Sequence, residues 1–437
     1  MTTPNGPILF NSTTGSDTAA SGLGPSSAVI GSSAELDGTS TVDVSFDGVS
    51  LSGISAGDLL YCGTSSGRKF SVIASVDTIN ETITTDDAWP TQSGVSWSVG
   101  GKRRSIAGSV ASLDNWTADF KGDYIVQFES GYTENFTSRL RCRTGGSFKI
   151  QGDPNAATRP KLITSADFVV GQGHGMSFHN MEFLKSATGG TLIHMGSGGT
   201  SLYRNCKFGD STNLPAIAFS TNAFSILEGC EFTGTKGIYN NANIIVVSSG
   251  KFKDCSIGID FAYSSTGHTI TNSIFDGCNV GISEGTGGGN LYNSKLIEGN
   301  LFNCVDAGIQ IPANASLRQR CVLCKYNVFA NSTYGIEFVG NTMENTKLHS
   351  AYIGNAFYNI GTSNYRNDDG SIYDDIALSA DPFTDAANGD FSLNNANDGG
   401  KVLRANTTNI GDTTVHPFRQ IAGDLPTTAT IFHPLAQ

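Results

Sequence analysis

ILEGCEFTGTKGI (226–238), VVSSGKFKDCSIGI (246–259) and TITNSIFDGCNVGI (269–282) are three successive copies of one pattern. Each copy has Phe at its seventh position and ends in Gly-Ile. The same Phe position recurs eight times along the chain, at intervals of 20 to 28 residues. The eight residues are Phe183, Phe208, Phe232, Phe252, Phe275, Phe302, Phe329 and Phe357. A repeat of this length indicates a solenoid, in which each copy forms one coil.

A residue that turns the chain sharply lies three positions before each of these phenylalanines. The eight residues are Asn180, Asn205, Gly229, Ser249, Asn272, Gly299, Tyr326 and Gly354. Six of the eight are Asn or Gly, which adopt the left-handed backbone conformation at little cost. The pattern therefore predicts one bend at the same place in every coil.

The residues around each bend alternate between an inward and an outward direction. The position two before each Phe is predicted to point inward, and it contains Met181, Cys206, Cys230, Gly250, Ser273, Asn300, Asn327 and Asn355. The position five before each Phe is also predicted inward, and it contains Phe178, Tyr203, Leu227, Val247, Ile270, Ile297, Cys324 and Tyr352. The position just before Phe is outward and begins with Glu182, Lys207, Glu231 and Lys251. Since successive coils lie ~4.8 Å apart, the three asparagines could form an amide ladder and the outward charges could pair.

Short strands separated by bends predict an all-β fold, a single-stranded parallel β-helix. The segment 124–360 resembles the right-handed parallel β-helix of the pectate-lyase-like superfamily. Residues 123–153 resemble the first coils of such domains, and DPFTDAANGDFSL (381–393) resembles a segment that often closes them. The resemblance implies the fold and no single activity, because this fold is shared by lyases, hydrolases, adhesins and phage spikes.

The amino-acid composition and net charge limit the classes of partner that the protein is expected to bind. The chain has 437 residues, a net charge of −12 and 15% charged residues. An acidic chain is a poor match for phosphate backbones, so a nucleic-acid-binding role is not expected. The N-terminus has neither a basic nor an apolar segment of a secretory signal, and no apolar run is long enough to span a bilayer. We therefore expect synthesis in a cytoplasm without membrane insertion.

Four regions are predicted along the chain. Residues 1–35 are predicted to form an extended arm, and residues 36–105 a small antiparallel barrel or sandwich followed by a linker. Residues 106–362 are the β-helix, with a capping helix at 106–120. Residues 363–437 form a C-terminal extended or capping tail.

No catalytic, cofactor-binding or metal-binding residue can be assigned from the sequence. The best carboxylate candidates are Asp254 and Asp276 on adjacent coils, followed by Asp260 and Glu284, and the favoured interpretation is that they are solvated turn residues. The seven histidines (His174, His179, His194, His268, His349, His416 and His433) have no metal-binding or triad spacing. The CxxC of Cys321 and Cys324 is weak support for zinc or redox chemistry. Most of the nine cysteines are interpreted as buried thiols.

The arrangement of a small β domain before a β-helix resembles virion proteins of tailed bacteriophages. That resemblance implies a homotrimer on the virion surface, with an N-terminal domain that attaches to other virion proteins. The leading hypothesis is a tailspike, a tail fibre or a capsid decoration protein that binds host glycans or stabilises the particle. The alternatives are a polysaccharide lyase or glycoside hydrolase on the same fold, and a bacterial adhesin.

Overall fold

The computed structural model describes most of the chain. The described residues are 8–12, 29–65, 70–100, 102–103, 124–136, 148–153, 157–164, 168–170, 175–185, 193–195, 200–210, 215–220, 224–241, 244–262, 267–284, 293–312, 319–339, 347–348, 350–367, 371–406, 408–410 and 413–415. The chain divides into two compact units. The first contains Met1–Leu184 and Met195–Lys207, and the second contains Lys185–His194 and Phe208–Gln437.

The first unit contains a closed antiparallel barrel, as predicted for the N-terminal domain. Its six strands are Val29–Leu36, Thr41–Asp43, Leu59–Cys62, Phe70–Asp77, Thr82–Thr85 and Gln92–Val99. Trp97, Leu60 and Ile83 are buried in its core. The first barrel strand begins at Val29, so part of the predicted arm belongs to the barrel.

The first unit also contains parallel coils. Sheet 1, which precedes the bend, contains Lys102–Arg103, Ile8–Asn11, Tyr124–Phe128, Phe148–Gly152, Gly175–His179 and Thr200–Arg204. Sheet 2, which follows the bend, contains Thr133–Phe136, Lys161–Thr164 and Glu182–Lys185. Strand Phe168–Val170 belongs to the third sheet of the coils. Ile193–Met195 and Lys207–Asp210 are further strands, each containing residues of both units.

The second unit consists of parallel coils with three sheets. Sheet 1 contains Phe224–Glu228, Ile244–Ser248, His268–Thr271, Asn293–Glu298, Gln319–Lys325, Lys347–Leu348, Ala351–Ile353 and Ser371–Tyr373. Sheet 2 contains Glu231–Thr233, Lys251–Lys253, Ile274–Asp276, Leu301–Asn303, Val328–Ala330, Ala356–Tyr358 and Ile376–Leu378. Sheet 3 contains Pro215–Ser220, Lys236–Asn241, Ile257–Phe261, Val280–Glu284, Ala307–Pro312, Tyr334–Val339 and Ser363–Arg366. This architecture confirms the predicted all-β fold with a parallel β-helix.

The repeated phenylalanines form a stack inside the second unit. Phe252 pairs in register with Phe275, and Phe275 with Phe302. Their rings lie nearly parallel, with centroids 4.6 Å and 4.8 Å apart. Every Phe of the stack is buried. Stacked aromatic pairs of this kind contribute about 0.5–1.5 kcal/mol each beyond the area that they bury.

All eight predicted bend residues have a positive φ. Tyr326, the bulkiest of them, has φ 55° and Ser249 has the same value. Such a conformation costs a side-chain-bearing residue about 1–2 kcal/mol, which the surrounding coils must offset. The bend therefore occurs at the same position of every repeat, even where the residue at that position does not favour a positive φ.

An amide ladder runs along the interior, as the sequence predicted. The side-chain oxygen of Asn327 accepts from the backbone N–H of Asn300 at 2.9 Å and from its side-chain amide at 3.0 Å. Asn355 accepts from Asn327 in the same way, at 3.1 Å and 3.0 Å. All three side chains are fully buried. The ladder satisfies buried backbone donors at the bends, where no sheet partner can do so.

Close packing between coils requires the glycine that lies five or six residues after Phe232, Phe252, Phe275, Phe302 and Phe329. A Cβ on Gly281 would lie 2.6 Å from the carbonyl oxygen of Gly308 and 2.6 Å from the ring of Phe302. Gly258 has the same surroundings one coil earlier. No other residue type fits there without a backbone shift.

One more coil follows the coil of Phe357, and it lacks the repeated Phe by which the others were recognised. Ala377 pairs with Phe357 and takes the Phe position. Asp374 is its bend residue, with φ 54°. Asp375 takes the ladder position and accepts from the backbone N–H of Asn355 at 3.0 Å. Parallel pairing thus continues past residue 362, the predicted end of the β-helix.

The C-terminal segment folds back onto the last coils. It contains two antiparallel hairpins, Phe383–Asp385 with Asp390–Leu393 and Thr408–Ile410 with Thr413–Val415, and the helix Gly400–Ala405. Phe383, Phe391 and Leu403 pack against Leu301 and Val328 on the outside of sheet 2. The residue just before Phe is charged in the first four repeats and apolar in the later ones. The C-terminal segment covers this position in the later repeats, which explains the change.

The predicted capping helix at 106–120 lies outside the described residues. Among the residues that are described, Gly400–Ala405 is the one α-helix, and two short 3-10 helices occur at Ser45–Asp47 and Ala386–Asn388. A search of these same residues finds no helix with the length and hydropathy needed to cross a membrane.

Candidate functional site

Asp254 and Asp276 do not occupy the same place on successive coils. Asp276 pairs in register with Lys253, whereas Asp254 is a bend residue with φ 53°. The backbone N–H of Asp254 donates to the carbonyl of Asp276 at 2.9 Å, and the carboxylate of Asp276 accepts from Asn303 at 2.8 Å. Both residues thus have structural partners at the turn after sheet 2, which favours the turn-residue interpretation.

A row of amides continues from Asp276 along that turn. Asn331 donates to Asn303 at 3.0 Å, and Asn359 donates to Asn331 at 2.9 Å. Asn331 and Asn359 are exposed and have positive φ. This row therefore orders the turns at the surface, as the interior ladder orders the bends inside.

Asp260 belongs to a polar row on the outside of sheet 3. The row consists of six residues that pair in register from coil to coil: Tyr239, Asp260, Ser283, Gln310, Glu337 and Arg366. We call it the sheet 3 row. Asp260 accepts from Lys236 at 2.5 Å. Glu337 accepts from Gln310 at 3.0 Å and from Arg366 at 2.7 Å. The row is therefore a preorganised set of donors and acceptors.

Tyr239 of the sheet 3 row and Tyr334 beside it each lie against a cation. The ammonium of Lys236 is 5.1 Å from the centre of the Tyr239 ring. The guanidinium of Arg366 is 4.7 Å from the centre of the Tyr334 ring and donates to the Tyr334 hydroxyl at 2.8 Å. Contacts of this kind restrict both partners to one orientation. Aromatic, charged and amide groups thus share one face of the β-helix.

Asp306 lies beside the sheet 3 row, just before strand Ala307–Pro312. Its burial raises its pKa, the negative charge of Glu337 raises it further, and Arg366 partly opposes both effects. Asp306 therefore keeps its proton to a higher pH than an ordinary aspartate, next to a glutamate that is ion-paired. This pair could not be predicted from the sequence, because Asp306 becomes a neighbour of Glu337 only when the coils stack.

Glu284 lies at the corner between sheets 3 and 1, in a buried ion pair. Its carboxylate is 2.7 Å from Lys295, and their side chains are 5% and 1% exposed. Lys295 pairs in register with His268, and both contact the ring of Phe261. His268 Nδ1 accepts from the backbone N–H of Ile245 at 3.3 Å. Sequence analysis missed Lys295, although its position two before the inward Ile297 marks it as inward-facing.

Buried thiols account for the described cysteines. Seven are free and buried: Cys62, Cys206, Cys230, Cys255, Cys278, Cys304 and Cys324. Burial raises the pKa of Cys62 and Cys304, which disfavours the reactive thiolate. Cys324 accepts from the Asn327 amide at 3.2 Å, as part of the ladder. The side chain of Cys321 lies outside the described residues. No group of three metal-binding side chains occurs in the part of the chain that the structure describes.

The structure describes the side chains of two of the seven histidines, and the two have different surroundings. His268 belongs to the buried corner, and His179 lies on the outside of sheet 1 in the first unit. Burial, together with the charges of Lys149 and Arg204, lowers the pKa of His179 to about 4. The side chains of His174, His194, His349, His416 and His433 lie outside the described residues.

No protein-family model matches the sequence, and a search of curated proteins gives no match. Among solved structures, the chain is similar to a PL6 family alginate lyase, with 11% identity over 62% of this chain and 50% of that chain and a TM-score of 0.34. It is similar to the tailspike protein gp49 from Pseudomonas phage LKA1, with 12% identity over 83% of this chain and 64% of that chain and a TM-score of 0.34. The chain thus covers less than two thirds of both proteins.

A third similar structure is the catalytic unit of a GH87 alpha-1,3-glucanase from Streptomyces thermodiastaticus. The identity is 11%, the match covers 85% of this chain and 96% of that chain, and the TM-score is 0.36. At such identities the likeness concerns the β-helical fold alone. Function must therefore be argued from the side chains.

Proposed function

With a pectate-lyase-like parallel β-helix as the premise, we propose that this chain is a bacteriophage virion protein that projects from the particle surface. Its sheet 3 row binds a bacterial surface glycan, as a tailspike or fibre does. The barrel at Val29–Val99 attaches it to other virion proteins, and three copies associate. The observation that carries the glycan-binding part of the proposal is the sheet 3 row.

The chemistry of the sheet 3 row suits a saccharide. Sugar hydroxyls both donate and accept hydrogen bonds, and the row contains carboxylate, hydroxyl, amide and guanidinium groups on successive rungs ~4.8 Å apart. Tyr239, Gln310 and Arg366 are its more accessible members, and Asp260, Ser283 and Glu337 are buried behind them. The pairs Lys236–Asp260 and Arg366–Glu337 fix these groups before a ligand arrives. Binding then requires little further ordering of side chains, which favours affinity.

The geometry of the row favours binding over cleavage. Asp260 and Glu337 lie three rungs apart, a separation of about 14 Å, which exceeds the separations that glycosidases use. Each carboxylate also has a cation as partner. Neither is arranged as the general acid that departure of a sugar requires.

Two experiments test the proposal separately. Purified full-length protein should bind particular polysaccharides on an array of bacterial surface glycans, and binding should weaken in Arg366→Ala. Antibody against the protein should label virions in electron micrographs. A chain that binds no glycan contradicts the glycan-binding role, and unlabelled virions contradict the virion role.

A second candidate function, polysaccharide depolymerisation, has one observation in its favour. Asp306 has a raised pKa next to the ion-paired Glu337, and carboxyls with unlike environments are what a hydrolase needs for its acid and its second carboxylate. The test is release of reducing ends or unsaturated sugars from a bound glycan. Cleavage that disappears in Asp306→Asn would establish the enzyme, and binding without any cleavage would exclude it.

A further inference from the structure

One column of side chains on the outside of sheet 1 in the second unit is apolar on nearly every coil. Six residues pair in register along it: Ile226, Val246, Thr269, Leu296, Leu323 and Ala351. Each of them lies between two buried residues of its own strand. Because successive side chains of a strand point to opposite faces, all six point outward. We call this column the sheet 1 stripe.

The sheet 1 stripe keeps part of its surface exposed, unlike the apolar residues on the outside of sheet 2. Leu301, Val328 and Ala356 of sheet 2 are at most 1% exposed, because the C-terminal segment packs on them. Every residue of the sheet 1 stripe is only half-buried. An apolar surface that remains open in this way marks an interaction site.

The apolar surface extends beyond the sheet 1 stripe. Ile244 lies on the same face two residues before Val246 and is 38% exposed. Ile353 pairs in register with Tyr373 on the last strand of the sheet, and Tyr373 is 54% exposed. Seven strands ~4.8 Å apart, with five residues ~3.3 Å apart on each, form a face of about 500 Å². Two such faces together bury about 1,000 Å², which is enough for a specific interface between proteins.

The charge and the spacing of this face fit another copy of the same chain. The net charge of −12 makes two copies repel each other over most of their surface. The outward column next to the sheet 1 stripe has two glutamates and one lysine, and its ion pair Glu298–Lys325 has a length of 3.0 Å. Its residues are Glu228, Ser248, Thr271, Glu298 and Lys325. Copies of an acidic chain therefore meet at this nearly neutral, apolar face with little repulsion, and their equal rung spacing lets the stripes touch on every coil.

We infer that the sheet 1 stripe is the surface through which copies of this chain associate, around an axis that runs along the stack of coils. The inference rests on the proposed function, in which three copies associate, and it adds the face that joins them. Sheet 2 is covered by the C-terminal segment, and the sheet 3 row stays open for a glycan. Several sheet 3 rows on one oligomer strengthen binding to a glycan surface through avidity.

Sedimentation velocity of the full chain tests the inference. Wild type should sediment as a trimer of the 45.9 kDa chain. Leu296→Lys places a charge within the sheet 1 stripe and should weaken self-association at least a hundredfold. Val305→Lys, the same kind of change at a residue that is 61% exposed in the turn after sheet 2, is the matched control and should weaken it less than threefold. Circular dichroism should show both variants folded, since the ammonium of a half-buried lysine reaches solvent.

Cross-linking gives a second readout, which decides the matter if Leu296→Lys does not fold. With the sheet 1 stripes at the axis, Thr269 of one copy lies near the same residue of another copy. A short bismaleimide should therefore link Thr269→Cys chains to one another, and wild type treated in the same way gives the background from the native thiols.

The inference is overturned if wild type is monomeric, if Leu296→Lys and Val305→Lys have equal effects, or if Thr269→Cys is linked no more than wild type. A monomer that binds glycan in a manner sensitive to Arg366→Ala overturns it and leaves the glycan-binding role intact. Association through the sheet 1 stripe without glycan binding supports the inference and contradicts that role.

Discussion

The interior of the β-helix and the outside of sheet 3 use the same rung spacing in opposite ways. Inside, the same residue type recurs on successive rungs, as in the Phe stack and the ladder of Asn300, Asn327 and Asn355. Along the sheet 3 row, all six residues differ in type. Stacking rewards identical neighbours, whereas recognition requires different groups at defined places. The interior therefore determines stability, and the row is available for binding.

Removing an interior ring should produce the largest effect. Phe275→Ala deletes a ring that stacks between Phe252 and Phe302 with centroids 4.6 Å and 4.8 Å away. We expect a loss of about 3–5 kcal/mol in the free energy of unfolding, because the close-packed coils cannot collapse into the cavity. Urea denaturation followed by circular dichroism measures it. A loss below about 1 kcal/mol would mean that the stack does not stabilise the interior.

The amide ladder should come next. Asn327→Ala removes the acceptor for the backbone N–H of Asn300 and leaves buried polar groups without partners. At about 1–3 kcal/mol for each such group, we expect a loss of about 2–4 kcal/mol. Asn279→Ala, at an exposed asparagine of the second unit without a positive φ, is the matched control and should cost less than about 0.5 kcal/mol. Equal losses at the two positions would refute the distinction between inside and outside.

A change in the sheet 3 row should have a small effect on stability. Gln310→Ala removes one hydrogen bond to Glu337, which keeps its ion pair with Arg366. We expect a loss of at most about 1 kcal/mol, since a partly buried hydrogen bond contributes about that much. Thermal unfolding of the variant beside Asn327→Ala provides the comparison. A loss as large as that of Asn327→Ala would mean that the sheet 3 row stabilises the fold as strongly as the interior does.

The smallest expected effect concerns pH. Burial raises the pKa of Asp375 at the end of the ladder, and hydrogen bonds from Tyr365 and Asn355 partly oppose this. A carboxyl with a raised folded-state pKa stabilises the fold below its unfolded value, 3.8, and this contribution is lost as the pH rises through the folded value. Asp375→Asn should therefore flatten the decline of stability with rising pH above about 4. Asp306 and Asp58, which also have raised pKa values, should keep a residual slope. An unchanged slope would exclude a contribution from Asp375.

The structural features that could be predicted from the sequence are those that repeat from coil to coil. The Phe, Asn and bend positions repeat in phase, so their burial and backbone conformation followed from spacing alone. Ala377 has no aromatic ring, and the coil that contains it was missed for that reason. The apolar outward residues Leu301 and Val328 could not be interpreted either, since the residues that cover them, Phe383 to Leu403, come much later in the chain.

The candidate site was much less predictable than the fold. Asp260 and Glu284 were proposed as single carboxylates, but their partners Lys236 and Lys295 come from other strands. Pairing across coils depends on the length of each repeat, which varies between 20 and 28 residues and is not encoded in the sequence of one coil. Positions that recur in each repeat thus predict the fold. The partners of residues that do not recur become known only from the three-dimensional structure.

The affinity of wild type and Gln310→Ala for the same bacterial glycan is the most direct test of the claim that the sheet 3 row binds and does not stabilise. We predict that Gln310→Ala lowers the affinity at least tenfold while its unfolding free energy stays within about 1 kcal/mol of wild type. Asn279→Ala should leave both quantities unchanged. Undiminished glycan affinity in a folded Gln310→Ala variant would contradict the account.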